Sequence, residues 1–407
     1  MVTVEQHPEL LGITPLYRGH QLFVCVWRPQ IQSLPILRRN SPIVTGPVQN
    51  GSMSKMLDEI RQQPAALERT FRAELRSIEK LKKYFATRRP KFIVLSARGT
   101  SDNAAQFGRY LLEISTGIPV SLAAPSIVTL YGAPMAYNED TLVIAISQSG
   151  ESTDTNLVLE RAKAAGAFTI GVTNEPDSSL AKMAEHAFLV RAGREKSVAA
   201  TKTYTGQVLA MYLIAYALGA PVDLDEIRQL PEHANAALSL YPQIAERAIR
   251  YRFMEHVVVV GRGLNYSNAF EFALKMMETC YVVAERFSSA DFLHGPIAMV
   301  EAAFPVFLFT PSGVTWPSMH EMLEKLTGLH AETMLITDQS NAAAANLKAS
   351  RPIVIPAKLG RKRALPEELF TPIPYIIPAQ LFAECLASEK GLNPDQPRTL
   401  SKVTRTL

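Results

Sequence analysis

From residue 91 onward the chain alternates short apolar runs with stretches of amphipathic, helical periodicity. That alternation predicts a parallel sheet whose strands are joined by crossover helices, an α/β fold. Residues 92–95, 142–146, 168–172 and 187–190 read as buried strands, and an amphipathic run to Glu113 follows the first of them. A second set covers 257–260, 305–309, 333–337 and 352–355. The two sets are offset by about 164 residues, with the same order of strand, turn and helix. One matched strand and turn is within chance; four in register point to duplication. The period lies far above the roughly 20–50 residues of stacked repeat arrays, so two large units are expected rather than a solenoid. Long helical stretches are expected over about 53–85, before the first unit, and about 203–241, between the two.

Length agrees with two units, since 407 residues exceed the roughly 250–300 at which single cores split. The expected division is a first domain over 53–240 and a second over 241–407. Residues 1–52 look different: Pro8, Pro15, Pro29, Pro35, Pro42 and Pro47 interrupt them, periodicity is slight, and Gly46 and Gly51 lead into Met53. Two readings stand side by side, a disordered or loosely attached extension and a start codon called too early, and neither assigns a function.

With 47% hydrophobic and 20% charged residues the chain reads as an ordinary globular protein. The net charge of +4 is small and its Lys and Arg are spread out, which argues against nucleic acid and suits, weakly, an anionic metabolite. Cys25, Cys280 and Cys385 are odd in number and far apart. They suggest neither a disulfide framework nor a zinc site, and a reducing cytoplasm is expected. No apolar run approaches the roughly 18–20 residues that span a bilayer, residues 22–27 being the longest early one, and no basic leader opens the chain. No membrane partner is therefore expected.

Candidate chemistry lies at the strand ends. In an open parallel sheet, ligands sit where helix N-termini present free N–H groups beyond the carboxyl ends of strands. Gly99-Thr100-Ser101 follows one predicted strand; Ser147-Gln148-Ser149 with Gly150 and Ser152 follows another. The glycines permit tight turns, and the hydroxyls are neutral donors for phosphate oxygens. Serine and threonine are also ordinary helix caps. Two such turns at equivalent strand ends, one of six consecutive small or polar residues, favour a phosphate site. The second unit has Leu264-Asn265 and Pro311-Ser312 in the matching places, a poorer set, so one half is expected to hold the phosphate. The glycine-rich loops of nucleoside triphosphatases and dinucleotide-binding proteins are absent.

Residues 268–287 read as one helix, apolar nearly all round, which predicts burial. Glu271, Lys275 and Glu278 nevertheless fall on a single face, at spacings of four and three. A thin solvated stripe is the bland alternative. With Phe272 and Leu274 flanking the stripe, and Glu285 and His294 downstream, a cluster of carboxylate, ammonium and imidazole is the better expectation. Moving a proton between adjacent sugar carbons needs such a carboxylate, and opening a sugar ring needs a group that titrates near neutrality. Gly295-Pro296 fixes the turn after His294. The tail, Asp395-Gln396-Pro397-Arg398-Thr399-Leu400-Ser401-Lys402, has no periodicity and reads as a flexible end. A lysine there is ordinarily just exposed; folded back as a lid, it would bring an amine to the site.

These segments, with Val198-Ala199-Ala200-Thr201-Lys202, resemble the sugar isomerase (SIS) domain family. Within it they resemble the isomerase half of glutamine–fructose-6-phosphate amidotransferase, from about Met53 to the end. The resemblance implies two tandem three-layer α/β/α sandwiches, flavodoxin-like and with parallel sheets. It implies phosphate binding by Gly99, Thr100, Ser101, Ser147, Gln148, Ser149 and Ser152, with Glu195, Val198 and Ser401 as further substrate contacts. Glu278 would shuttle the proton between C1 and C2, and Lys275 joins it as a catalytic residue. His294 would assist ring opening from the partner subunit, which implies a homodimer with shared active sites. Lys402 would form an imine with the ketose. No cofactor and no metal is implied. Two departures stand out: Ala200 replaces a serine, and the glutaminase domain with its N-terminal cysteine has no counterpart in this sequence, which begins Met1-Val2-Thr3.

The expected function is an amino-sugar-phosphate isomerase and deaminase, taking glucosamine 6-phosphate to fructose 6-phosphate and ammonia. Three alternatives remain: synthesis in the reverse direction from free ammonia or with a separate glutaminase, a deglycase of sugar-phosphate–amino acid adducts, and a non-catalytic sugar-phosphate sensor. The sensor is the least favoured, because the catalytic set is complete and residues 1–52 hold no helix-turn-helix pattern.

Overall fold

Residues 53–400 and residue 402 are described by a computed structural model. The expected extension over 1–52, and Ser401, lie outside the described residues.

The chain enters through α1 (Lys55–Arg61) and α2 (Gln63–Phe85), two helices where one stretch was expected. Pro64 at the start of α2 cannot donate to a preceding turn, so the helix restarts there. The first sheet contains β1 (Phe92–Ser96), β2 (Val120–Leu122), β3 (Thr141–Ile146), β4 (Phe168–Thr173) and β5 (His186–Leu189). All pairs are parallel, in the order β2-β1-β3-β4-β5. The crossovers carry α3 (Thr100–Thr116), α4 (Ser126–Thr129), α5 (Thr153–Ala164) and α6 (Ser179–Met183).

Two helices then replace the single expected stretch, α7 (Lys202–Ala217) and α8 (Leu224–Leu238), and a third, α9 (Tyr241–Arg250), follows beyond it. Gly219, at φ 86°, and Pro221 break the first from the second. The second sheet follows as β6 (His256–Gly261), α10 (Tyr266–Cys280), β7 (Val283–Ser288), α11 (Ser289–Leu293), β8 (Pro305–Phe309), α12 (Trp316–Gly328), β9 (Glu332–Asp338), α13 (Ala342–Ala345) and β10 (Ile353–Ile355). Its order, β10-β9-β8-β6-β7, repeats the first sheet from the opposite edge. α14 (Pro372–Glu389) closes the fold.

The duplication therefore extends to a fifth strand in each half, β2 and β7, that the apolar pattern did not reveal. β7 also corrects the helix expected over 268–287. α10 stops at Cys280, and Tyr281 adopts the left-handed conformation at φ 55°. In the first half α3 ends the same way at Gly117, φ 71°, which is 164 residues earlier. Glycine announces such a cap because it lacks a Cβ; tyrosine does not. Beyond it, β-branched Val282 and Val283 lead into an edge strand paired in parallel with β6.

The strands are apolar on both faces because helices cover both. One continuous core joins the inner faces of the two sheets, taking Ile93, Leu142 and Ile144 from one and Val257 and Phe307 from the other. α7 and α14 are buried nearly all round within it. Smaller clusters cover the outer faces, Val143 and Ala145 against Val158 and Leu180, and Val258 and Leu308 against Met319 and Met322. Each fully buried Leu, Ile or Val contributes roughly 1.5–3 kcal/mol. Among the described residues no helix is long and apolar enough to cross a membrane.

Candidate active site

In a sheet ordered 2-1-3-4-5 the chain leaves β1 and β3 toward opposite sides, and a crevice opens between their carboxyl ends. That crevice holds a cavity of about 350 Å³. Gly99, Thr100 and Ser101 line it from the β1–α3 turn; Ser147, Gln148, Ser149 and Ser152 line it from the β3–α5 turn. Val198, Glu278 and Lys402 complete the expected residues on its wall. The turns depend on backbone that only glycine adopts freely, at Gly99 (φ 56°) and Gly150 (φ 66°). Gly150 also has no room for a side chain, since a Cβ there would meet Ser178 Oγ at 2.1 Å and Thr173 Oγ1 at 2.9 Å.

Several hydroxyls are oriented before any ligand arrives. Ser101 Oγ accepts from Gln207 Nε2 at 3.0 Å, Ser147 Oγ from the Gly150 N–H at 3.1 Å, and Ser149 Oγ from the Glu151 N–H at 3.3 Å. With a lone pair of each oxygen engaged by the protein, its hydrogen remains to donate outward. The N-termini of α3 and α5 add free N–H groups and a partial positive charge. The assembly suits an oxyanion.

The second half supplies charge. Glu271 and Lys275 on α10 are fully buried, whereas the Glu278 side chain retains 21% exposure at the cavity wall. Lys275 Nζ donates to Glu278 Oε2 at 2.5 Å and lies 3.4 Å from Glu271 Oε1. Across the boundary between the halves, Asn103 Nδ2 donates to Glu271 Oε2 at 2.7 Å, and Lys275 Nζ donates to Thr100 Oγ1 at 3.2 Å. Burial pushes the Glu271 carboxyl up to about 7, against the opposing pull of Lys275 and Asn103 and with help from the Glu278 charge. Burial alone would lower Lys275, but Glu271 and Glu278 overcome it and hold the ammonium charged, above the ordinary lysine range.

The tail folds back. Asp395 accepts from the Lys55 and Met56 N–H groups at 2.9 and 2.8 Å, and the Arg398 N–H donates to the Tyr281 hydroxyl at 2.8 Å. Lys402 Nζ then reaches Glu195 Oε2 at 3.0 Å and the Ser197 carbonyl at 2.6 Å. Burial works to raise the Glu195 carboxyl, but Lys402 and donors from Thr201 and Thr203 hold it below the usual range.

The expected cluster of carboxylate, ammonium and imidazole does not form as stated. Because α10 ends at Cys280, the chain turns away along β7, leaving Glu285 exposed beside Arg286. His294, after α11, is likewise exposed and absent from the cavity wall. Only Glu271, Lys275 and Glu278 assemble. Sequence reasoning passed over Arg98, which lines the cavity and grips Asp154, although a cation directly before an anion-type turn was a visible signal. Gln207 and Asn103 gave no signal, because their partners lie 106 and 168 residues away. In the second half the matching turn, Thr310-Pro311-Ser312-Gly313-Val314-Thr315, keeps hydroxyls at three places, but a carboxylate fills it. A Cβ on Gly313 would meet Glu368 Oε2 at 2.2 Å.

Comparison with known proteins agrees with this architecture. The SIS domain matches residues 88–217 and 252–357, more than half of the chain. A curated relative, the glutamine–fructose-6-phosphate aminotransferase (isomerizing) of Pyrococcus horikoshii, is 34% identical over 353 residues, which are 85% of this chain and 57% of the relative. The chain thus spans little more than half of that relative's length. Among solved structures, the C-terminal domain of glucosamine-fructose-6-phosphate aminotransferase from Francisella tularensis is 28% identical, with a TM-score of 0.76 over 86% of this chain and 99% of that one. The glucosamine-6-phosphate deaminase of Thermotoga maritima, 21% identical, shares the fold at a TM-score of 0.68 over 87% of this chain and 100% of that one. Two matched segments, each on its own five-stranded parallel sheet, make this chain a member of the SIS domain family of sugar-phosphate isomerases.

Proposed function

We propose that the chain is an amino-sugar-phosphate isomerase and deaminase that converts glucosamine 6-phosphate to fructose 6-phosphate and ammonia. The observation that carries this reading is Glu278, a carboxylate on the wall of the same cavity as two hydroxyl-rich turns and the Lys402 amine. The turns would hold the phosphate and so fix the open-chain sugar, leaving C1 and C2 beside Glu278. Glu278 removes the C2 proton as O1 takes a proton from the C2 ammonium, giving an enolamine, and then returns a proton to C1, which leaves an iminium at C2. Lys402 Nζ passes a proton to Glu195 Oε2, 3.0 Å away, and attacks the iminium, expelling ammonia and forming a lysine imine that water hydrolyses to the ketose. Lys275, held 2.5 Å from Glu278, keeps that carboxylate in place and balances its charge.

Ring opening is assigned to His294 of a second copy in a homodimer, in keeping with its exposure on its own chain. Deamination is preferred to glutamine-dependent synthesis on the described thiols: Cys280 and Cys385 are buried, and burial pushes both up to about 12, so neither serves as a nucleophile toward glutamine. The relative from Pyrococcus horikoshii, named an aminotransferase, favours one second reading, the same steps run in reverse with ammonia supplied free or by another protein.

The test is ammonia release and fructose 6-phosphate formation from glucosamine 6-phosphate. Glu278→Gln is expected to lower turnover by roughly 10²–10⁴-fold while phosphate affinity stays within about threefold. Failure of the natural protein to form either product would overturn the reading.

A further inference from the structure

We propose that Arg98 reads the substrate's phosphate directly and that Asp154 is the residue that positions it. The proposal rests on the phosphosugar reading of the cavity. Both halves place an Arg-Gly pair at the end of their first strand, Arg98-Gly99 and Arg262-Gly263, with the glycines at φ 56° and 57°. The backbone therefore sends both arginines out from the same point. Their acceptors differ.

In the second half Arg262 Nη1 donates to Ser288 Oγ at 3.1 Å, at the end of β7. The residue 164 positions before Ser288 is Ala124, which offers no hydroxyl. Arg98 instead turns to Asp154 on α5, donating from Nε at 3.0 Å and Nη2 at 2.6 Å to the same oxygen, Oδ2. The second half has no such carboxylate: β3 and β8 match at an offset of 163, which sets Pro317 opposite Asp154. A change of acceptor thus aims the guanidinium into the crevice in one half and away from it in the other.

Arg98 is clamped on one edge only. Its Nη1 makes no hydrogen bond among the described residues, and the side chain is 47% exposed on the cavity wall, while that of Asp154 is 4% exposed. Lys402, the other cation on that wall, is engaged by Glu195 and the Ser197 carbonyl. A phosphate monoester brings about two negative charges near neutrality, and a guanidinium with spare donors is the side chain best matched to it. Because Asp154 lies two residues past Ser152, the same clamp ties the two hydroxyl-rich turns together.

Calorimetric titration with inorganic phosphate and with glucosamine 6-phosphate, alongside steady-state kinetics, tests this. Arg98→Ala is expected to weaken phosphate binding and to raise KM by roughly 10- to 100-fold, with kcat within about threefold, and to flatten the salt dependence of binding. Asp154→Asn leaves the charge but loosens its aim, and is expected to act in the same direction by less than tenfold. Should Arg98→Ala fail to fold, Arg98→Gln keeps a donor for Asp154 and must still lose phosphate affinity. Unchanged phosphate affinity in a folded Arg98 variant overturns the assignment alone. A natural protein that binds neither ligand overturns the phosphosugar reading itself.

Discussion

Helix α3 of the first half and α10 of the second follow equivalent strands and end at left-handed caps 164 residues apart, Gly117 and Tyr281. At that offset Phe107, Leu111 and Ile114 of α3 stand where α10 carries Glu271, Lys275 and Glu278. Phe107 and Leu111 are fully buried and simply pack, Phe107 edge-on to Tyr212 at 5.0 Å. Glu271 and Lys275 are just as buried, in a chain that elsewhere spends such positions on apolar side chains. An isolated buried charge costs several kcal/mol, so the stripe survives only because every member is paired. Its pairing reaches into the other half, to Asn103 and Thr100. The difference teaches that the halves have divided the labour: one presents donors for an oxyanion, the other a charged stripe ending at the cavity.

That comparison can be broken at three points. The largest effect is expected at the turn glycines. Gly150→Ala meets Ser178 and Thr173 and forces alanine to φ 66°, which should destabilise the protein by roughly 3–4 kcal/mol and abolish phosphate binding. Gly313→Ala in the other half meets the far end of Glu368 and should leave phosphate binding intact. Thermal melts with and without phosphate check both, and equal loss of binding would remove the asymmetry.

Next is the pH dependence of the stripe. The folded pKa of Glu271, about 7, lies above its ordinary 4.5, so the folded state retains a proton through that window that the unfolded chain releases. Stability is therefore greatest below about pH 4.5 as far as this group is concerned, and falls as pH rises through 7, by up to about 3 kcal/mol. Denaturant melts from pH 5 to 8 should show that slope, and Glu271→Gln should lose it. A slope that persists in the variant would place the titration elsewhere.

The smallest effect is expected at single hydroxyls. Ser147→Ala should raise KM for the phosphosugar about tenfold, whereas Ser312→Ala, in the equivalent turn already filled by Glu368, should change it less than twofold. Matching effects would mean that both crevices take substrate.

Much of this was legible in the chain because strands buried on both faces write themselves as apolar runs, and turns at their ends as Gly, Ser and Thr. Eight of the strands were readable on that basis. β2 was hidden because Val120-Ser121-Leu122 has an exposed polar centre and no apolar run, and β7 by a helix that stops at a tyrosine. Among the candidate residues, Thr100, Ser101, Ser147, Gln148, Ser149 and Ser152 were legible because each belongs to one short turn. Arg98 was passed over, because its aim depends on a carboxylate 56 residues away.

The sequence alone determined the duplicated α/β plan, the two hydroxyl-rich turns and the spacing that puts Glu271, Lys275 and Glu278 on one helical face, because each rests on local periodicity or turn chemistry. Only the tertiary structure decided that α3 and α10 meet, that Lys402 returns to Glu195, that Glu285 and His294 leave the cavity, and that the second crevice is filled from within. Those outcomes depend on contacts between residues more than fifty positions apart, or on a cap whose glycine was replaced, and neither leaves a periodic mark along the chain.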